Sequence, residues 1–247
     1  MIKEFKADLH IHTCLSPCAE LEMSPLEVVK TAAQKGIDII AVTDHNSAEN
    51  IIAAGKAAKN LELTVLAGME ISSSEEAHIL ALFDKPESAL ELQAAVYKNL
   101  LPGENDEALF GEQIVVNEKD EVLDFNKRML ISATTLSAHS IVQKIHSIGG
   151  LAIASHIDKD AFSIISQLGF IPEDLKFDAI EMSPNMEREK AEHVFRPYNS
   201  FTWISSSDAH HLRDIGRRTT SFFMKEPTIK EMALTFKNID GRIAVWK

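Results

Sequence analysis

The sequence predicts an α/β barrel, a ring of strands wrapped by helices, on three observations. Short β-rich runs alternate with amphipathic helical stretches along almost the whole chain. With 247 residues and 45% hydrophobic composition, the chain can bury one sizeable core, which suits a single barrel better than two small domains. Histidine, aspartate or glutamate stands at or just beyond the end of one apolar run after another. In sheets of this kind the βα loops converge at the C-terminal rim, where functional residues collect.

Ile2 to Ala7 alternates and reads as the first strand. Ser24 and Pro25 ahead of Leu26, Val29 and Ala33 supply an N-cap, a first-turn proline and an apolar stripe, so a helix should run to Gly36. Ile37 to Thr43 is almost continuously apolar, as in strands covered on both faces. A helix over Asn46 to Asn60 follows, with Ala53 to Ala58 as packing surface, then strands over Leu63 to Leu66 and Ala77 to Phe83. Ser137 to Ile148 is a helix closed by Gly149 and Gly150. Beyond it come strand Leu151 to Ala154, helix Ala161 to Leu168, strand Ala179 to Met182, helix Arg188 to Phe195, strand Phe201 to Ser205 and helix Thr228 to Lys237. Parallel strands with helices outside are implied. The stretch 86–135 breaks the alternation, with a helix over Glu87 to Leu100 and a hairpin over Gln113 to Phe125 turning at Glu118, Lys119 and Asp120. It is expected to be an inserted helix-hairpin cap on one domain spanning 1–247, of the kind that selects what enters.

The formal net charge of −12 argues against a long nucleic-acid groove and leaves small anionic substrates compatible. Bound metal would neutralise several of those carboxylates and soften that argument. No uninterrupted apolar stretch is long enough to cross a bilayer, and Met1 to Thr13 lacks the basic head and apolar centre of a signal peptide. Two cysteines, Cys14 and Cys18, make no disulfide framework and fit a reducing compartment, so a cytoplasmic location is expected. No membrane partner and no particular oligomeric state follow.

Asp8-Leu9-His10-Ile11-His12-Thr13 sets two histidines one residue apart, and side chains two apart on a strand share a face. Alone that pair is weak evidence. Thr43-Asp44-His45, Gly68-Met69-Glu70, His78, Ser155-His156 and Ser207-Asp208-Ala209-His210 add imidazoles and carboxylates at further strand ends. Burying so many titratable groups together is costly unless cations compensate them, so a cluster of divalent ions is the economical explanation. Imidazole with carboxylate suits zinc, manganese or iron better than an all-oxygen magnesium cage. His139, His146, His193 and His211 carry no such pattern and read as ordinary polar residues. Glu181 is equally compatible with a rim contact and a buried, paired carboxylate.

Taken in order and spacing, these motifs resemble those of the PHP (polymerase and histidinol phosphatase) superfamily over nearly the whole chain except the insertion. The resemblance implies a distorted (β/α)7 barrel and a metal-dependent phosphoesterase with two or three divalent ions at the C-terminal rim. Carried over by position, His10, His12, Glu70 and Asp208 would hold one ion, Glu70, His78 and His156 a second, and His45 with His210 a third. Many relatives place histidine or aspartate where this chain has Cys18, so Cys18 would be a softer ligand of the third ion. Asp8 and Asp44, beside ligand histidines, would orient an imidazole or bind metal, and His45 or His210 could protonate a leaving alkoxide. Arg213 and Arg217 directly follow the last motif and are the first choice for gripping phosphate, ahead of Arg128, Arg188, Lys127 and Arg196. The expected substrate is a small phosphorylated molecule or nucleotide, with short oligonucleotides as the alternative. An amidohydrolase-type metalloenzyme also places His-x-His after a first strand, but usually needs a lysine carboxylate that Glu70 makes unnecessary.

Overall fold

A computed structural model describes residues 1–246. The strands are β1 (Lys3–Ile11), β2 (Ile39–Val42), β3 (Thr64–Ser72), β4 (His78–Phe83), β5 (Ile114–Val116), β6 (Val122–Phe125), β7 (Leu151–Ala154), β8 (Ala179–Met182), β9 (Thr202–Ser205), β10 (Thr220–Met224) and β11 (Ile243–Trp246). The helices are α1 (Pro25–Gln34), α2 (Ile51–Ala57), α3 (Pro86–Asn99), α4 (Glu107–Phe110), α5 (Ala138–Ser147), α6 (Ile164–Leu168), α7 (Arg188–Val194) and α8 (Ile229–Phe236). The main sheet has the order β11-β10-β1-β2-β3-β4-β7-β8-β9. Its edge strands β9 and β11 lie alongside each other, so the sheet is a nearly closed barrel.

Pairing is mixed rather than uniformly parallel. β4 runs antiparallel to β3 and β7, and β10 runs antiparallel to β1 and β11. Residues 73–77 are too few to carry a crossover helix, so the chain must turn back on itself there. That reversal puts the first residue of β4, His78, on the rim where β1, β2, β3, β7, β8 and β9 end. β10 and β11 are strands that the sequence pattern did not indicate, and β3 runs through Gly68, Met69 and Glu70 instead of stopping at Leu66. The helix expected from Asn46 begins only at Ile51, because His45 bridges to Glu70 and Asn46 turns in the left-handed region at φ 51°.

Side-chain parity builds the interior. Ala7 and Leu9, Ile39 and Ala41, Leu66, Leu80 and Leu82, Ile153, Ala179, Ile204 and Phe222 point inward, and Ile229, Met232 and Phe236 of α8 pack against them. Two bonds show that α8 closes the end opposite the rim: its Ile229 N–H donates to Asp84, just beyond β4, and Thr202 at the start of β9 donates to Phe236 O. The alternate positions, among them Ile40, Val42, Ala67, Ile79, Ala152 and Ile180, face a second core beneath the helices. Counting in twos from the inner layer, the next inward positions are Glu70 two beyond Gly68, His78 two before Leu80, and Glu181 two beyond Ala179. Gly68 is required because a Cβ there would lie 2.7 Å from Thr43 Cγ2 and 2.9 Å from Val42 O. β1 departs from simple alternation, since Leu9 is in the inner layer and Ile11 in the outer one, and its register with β2 shifts between Asp8 and Ile11.

The insertion is shorter than expected. Ala89, Leu92 and Val96 of α3 sit in the outer core, so α3 belongs to the helical layer and the cap begins after it. The cap is fastened by side-chain amides: Asn46 Nδ2 donates to Leu130 O (2.9 Å) and Ser132 O (2.8 Å), and Asn50 Nδ2 to Ile114 O (3.0 Å). Among the described residues no helix is long and apolar enough to cross a membrane.

The loop from α8 to β11 is held by Arg242, which donates to both oxygens of Glu231 at 2.8 and 3.0 Å. This fork holds the Glu231 carboxyl down at about 2, from an ordinary value of 4.5. A depressed carboxylate contributes its stability above pH 4.5 and loses it as pH falls toward 2. Glu231→Gln should therefore lower Tm at pH 7 and flatten the fall in Tm between pH 4.5 and pH 2, measured by thermal melts across that window.

Candidate metal centre

Glu70 stands at the middle of the rim, 1% exposed, and five imidazoles face it. Its Oε1 lies 3.3 Å from His10 Nε2, 3.1 Å from His78 Nδ1 and 3.2 Å from His156 Nε2. Its Oε2 lies 3.4 Å from His12 Nε2 and 3.2 Å from His45 Nδ1. Asp208 adds a second carboxylate, with Oδ1 3.5 Å from His10 Nε2, 3.4 Å from His12 Nε2 and 3.6 Å from His210 Nδ1. The structure thus brings His10, His12, His45, Glu70, His78, His156, Asp208 and His210 into one site from six different strand ends. His156 and Asp208 reach it with backbones in the left-handed region, φ 28° and 49°. Strain of this sort in non-glycine residues concentrates where side-chain placement matters more than backbone comfort.

Hydrogen bonds behind the histidines decide which nitrogen faces inward. His10 Nδ1 lies 2.9 Å from Glu181 Oε2, His12 Nδ1 2.9 Å from Ser16 Oγ, and His210 Nδ1 2.9 Å from Asp208 O. Ser16 in turn donates to Asp44 at 2.7 Å, which leaves its oxygen free to accept from His12. With each Nδ1 donating outward, the Nε2 of each ring, when neutral, presents a lone pair inward. Asp44 also accepts from Thr13 N and Oγ1 at 2.6 and 2.7 Å, so it acts on His12 through Ser16 and does not reach the cavity. Asp8 accepts from Ser207 N (2.9 Å) and Gly216 N (2.8 Å), pinning the loop that carries Asp208. Burial pushes both carboxyls up to about 6 against these hydrogen bonds.

The site fits divalent cations. His10 Nε2, His12 Nε2 and His45 Nδ1 are buried without a hydrogen-bond partner, although each points at a carboxylate oxygen. Orphaned buried polar atoms are costly, and lone pairs converging on an anion need a positive charge between them. Three ligand triplets have donor atoms within 4.8 Å of one another: His10, His12 and Asp208; His45, Glu70 and His78; His12, His45 and His210. Burial, with the charge of His210, pushes His12 down to about 3, and burial holds His45 well below its ordinary value, so both rings are neutral, the form that can ligate a cation. Burial alone would raise Glu70, but His78 and His10 keep it well below the usual carboxylate range.

Above these ligands opens a cavity of about 230 Å³ lined also by Cys18, Ile131, Lys159 and Phe162. Cys18 is exposed at the mouth and joins none of the three triplets. None of the expected phosphate-gripping arginines lines this cavity. Arg213 is 78% exposed, Arg217 donates to Ser207 O, Arg188 donates to Trp246 O, and Arg128 stacks 4.2 Å over the Tyr97 ring. The cation that does line it is Lys159, whose Nζ is 2.5 Å from Asp208 Oδ2. Sequence reasoning missed Lys159, three residues beyond His156 on the loop after β7, because a lone lysine in a polar loop carries no pattern. It also left open Glu181, which proves to be the buried partner of His10 and of the His156 N–H.

A family model, the PHP domain, matches residues 8–164, and the chain belongs to that family. It is 24% identical to the uncharacterised Bacillus subtilis protein YqxK over 98% of this chain and 64% of that protein. It is 27% identical to a Haemophilus influenzae 5'-3' exoribonuclease over 61% of this chain and 68% of the relative. The fold is shared with a lesion-specific endonuclease of Pyrococcus furiosus, at 17% identity and a TM-score of 0.74. It is shared too with Endonuclease Q in complex with a 27-mer duplex substrate carrying an abasic lesion at the active site, at a TM-score of 0.75. This chain spans 58% of each of those two structures and 64% of YqxK. The Endonuclease Q complex corrects the expectation of a small phosphorylated substrate and no long nucleic-acid groove. That expectation rested on net charge, which is a sum over the whole surface and counts Glu70 and Asp208 as free negative charges. At a metal-centred rim the ions dominate the local field, so an acidic chain can still receive a polyanion.

Stripping the protein with chelator should lower Tm, and returning zinc or manganese should restore it, each bound ion adding about 2.7 kcal/mol of stability at a concentration one hundred times its Kd. Glu181→Ala, which removes the acceptor behind the His10 Nδ1–H, should weaken ion binding about 10- to 100-fold in competition titrations against a metal indicator. Unchanged affinity would remove Glu181 from the account of the site.

Proposed function

We propose that this protein is a metal-dependent phosphoesterase that hydrolyses phosphodiester bonds in nucleic acid. The reading is carried by the Glu70 carboxylate ringed by five imidazoles on the loop rim of the barrel, and it is supported by relatives named for cleaving nucleic acid. His10, His12, Glu70 and Asp208 would hold one ion, Glu70, His78 and His156 a second, and His45 with His210 a third, with zinc, manganese or iron best matched to the donors. Bound there, divalent ions supply charge that attracts phosphate oxygens, acidify a water and stabilise an in-line displacement.

The chain's own residues do the rest. Glu181 and the Ser16–Asp44 pair hold the His10 and His12 rings in register, and Asp8 holds the loop of Asp208. Burial lowers Lys159, but Asp208, Glu70 and Glu181 outweigh it, so the ammonium stays charged and can face a non-bridging phosphate oxygen from the cavity wall. Burial holds His45 and His210 below the ordinary imidazole value. That suits them as ligands, and we assign both to the ions rather than to protonating the leaving group. A cytoplasmic location belongs to the same proposal.

Incubation of the purified chain with manganese or zinc and end-labelled single-stranded and duplex oligonucleotides tests this reading. Cleavage is expected that depends on the added ion and disappears in the His10→Ala, His12→Ala double variant. The spacing of products separates trimming from an end from cutting within the strand. Lys159→Ala should raise KM for oligonucleotide about 10-fold or more. Wild-type turnover no greater than that of the double variant would overturn the proposal.

A further inference from the structure

Phe162 is an aromatic residue in an unusual position. Its backbone lies in the left-handed region at φ 60°, a conformation that bulky side chains rarely adopt, and 48% of its surface is exposed at the mouth of the cavity. Its ring stacks on His78 with centroids 4.8 Å apart and planes 12° from parallel, leaving the opposite face uncovered by that histidine. An exposed phenylalanine held in a strained conformation is not explained by core packing.

The loop that carries it is anchored rather than loose. The His78 N–H donates to Phe162 O at 2.9 Å, Ser163 Oγ donates to Lys159 O at 2.8 Å, and Asp158 accepts from both Ser183 N and Ser183 Oγ at 2.6 Å. The same short loop presents Lys159 at the cavity wall, three residues from the ring. A fixed cation and a fixed aromatic face on one loop match the two halves of a nucleotide, its phosphate and its base. Ile131, from the cap, adds a second apolar side chain to the lining.

Building on the phosphodiesterase reading, we propose that Phe162 is the stacking platform for the nucleobase next to the reacting phosphate, with Lys159 and the ions holding that phosphate. Base recognition by stacking is tolerant of sequence, because every base has a π-face. The subsite therefore selects for a nucleoside beside the phosphate and not for a particular base.

Calorimetric titration of the manganese-loaded full chain with thymidine 5'-monophosphate and with 2-deoxyribose 5-phosphate isolates the contribution of the base without requiring turnover. The wild type should bind the nucleotide about 10-fold or more tighter than the sugar phosphate, the range expected for one stacked base. Phe162→Leu, which keeps His78 covered but removes the π-face, should bring the two affinities together, and Phe162→Trp should restore the difference. Ion content measured on each variant confirms that the compared proteins carry the same metal load. Equal affinities in the wild type, or a preference that survives in Phe162→Leu, would overturn the subsite. A preference that follows the aromatic ring in a protein that cleaves no oligonucleotide would leave the subsite standing and remove the phosphodiesterase reading instead.

Discussion

The structure is organised around one buried negative charge. A carboxylate at 1% exposure is a destabilising element unless something positive stands beside it, and Glu70 is surrounded by imidazoles that are themselves inward-facing and short of partners. Glu70 accepts from His78 and His156, but His10 Nε2, His12 Nε2 and His45 Nδ1 also face it and have no hydrogen-bond partner. Cations between them would turn the carboxylate and the unpartnered rings into ligands. The barrel therefore tolerates at one end a concentration of polar groups that would otherwise open it.

The two ends of the barrel divide the work. Below the rim, α8 inserts Ile229, Met232 and Phe236 against the inner layer and supplies the apolar burial that holds the strands together. Above it the same inward parity brings Glu70, His78 and Glu181 to the site, so one geometrical rule places both the plug and the ligands. The exception, β1, needs a shift in register before His10 and His12 can meet the others. Behind the ligands, Glu181, Ser16, Asp44 and Asp8 are spent on orientation and tethering. Their removal would act through the ligands and not through contact with a substrate.

Much of the site was legible in the residues. Each motif that reaches the site pairs an imidazole or acid with the end of an apolar run, and that association recurs too often along the chain for chance. The residues that line the rest of the cavity were not legible in the same way. Arginines were expected to grip phosphate because a guanidinium can do so, but Arg217, Arg188 and Arg128 are engaged by Ser207 O, Trp246 O and the Tyr97 ring. Lys159 and Phe162 face the cavity instead, and neither belongs to a periodic or repeated pattern. The extent of the cap shows the same limit, since only tertiary packing distinguishes α3, a barrel helix, from the chain that follows it.

By itself the sequence determined the alternation of strand and helix, the barrel class and the imidazoles and carboxylates that meet at the rim, because periodicity and residue chemistry are local and survive without contacts. The tertiary structure alone decided that β4 and β10 run against their neighbours, which imidazole nitrogen faces inward, and which cation reaches the cavity. Those outcomes depend on the length of a turn, on an acceptor more than a hundred residues away such as Glu181 for His10, and on which side chains the folded surface has already engaged.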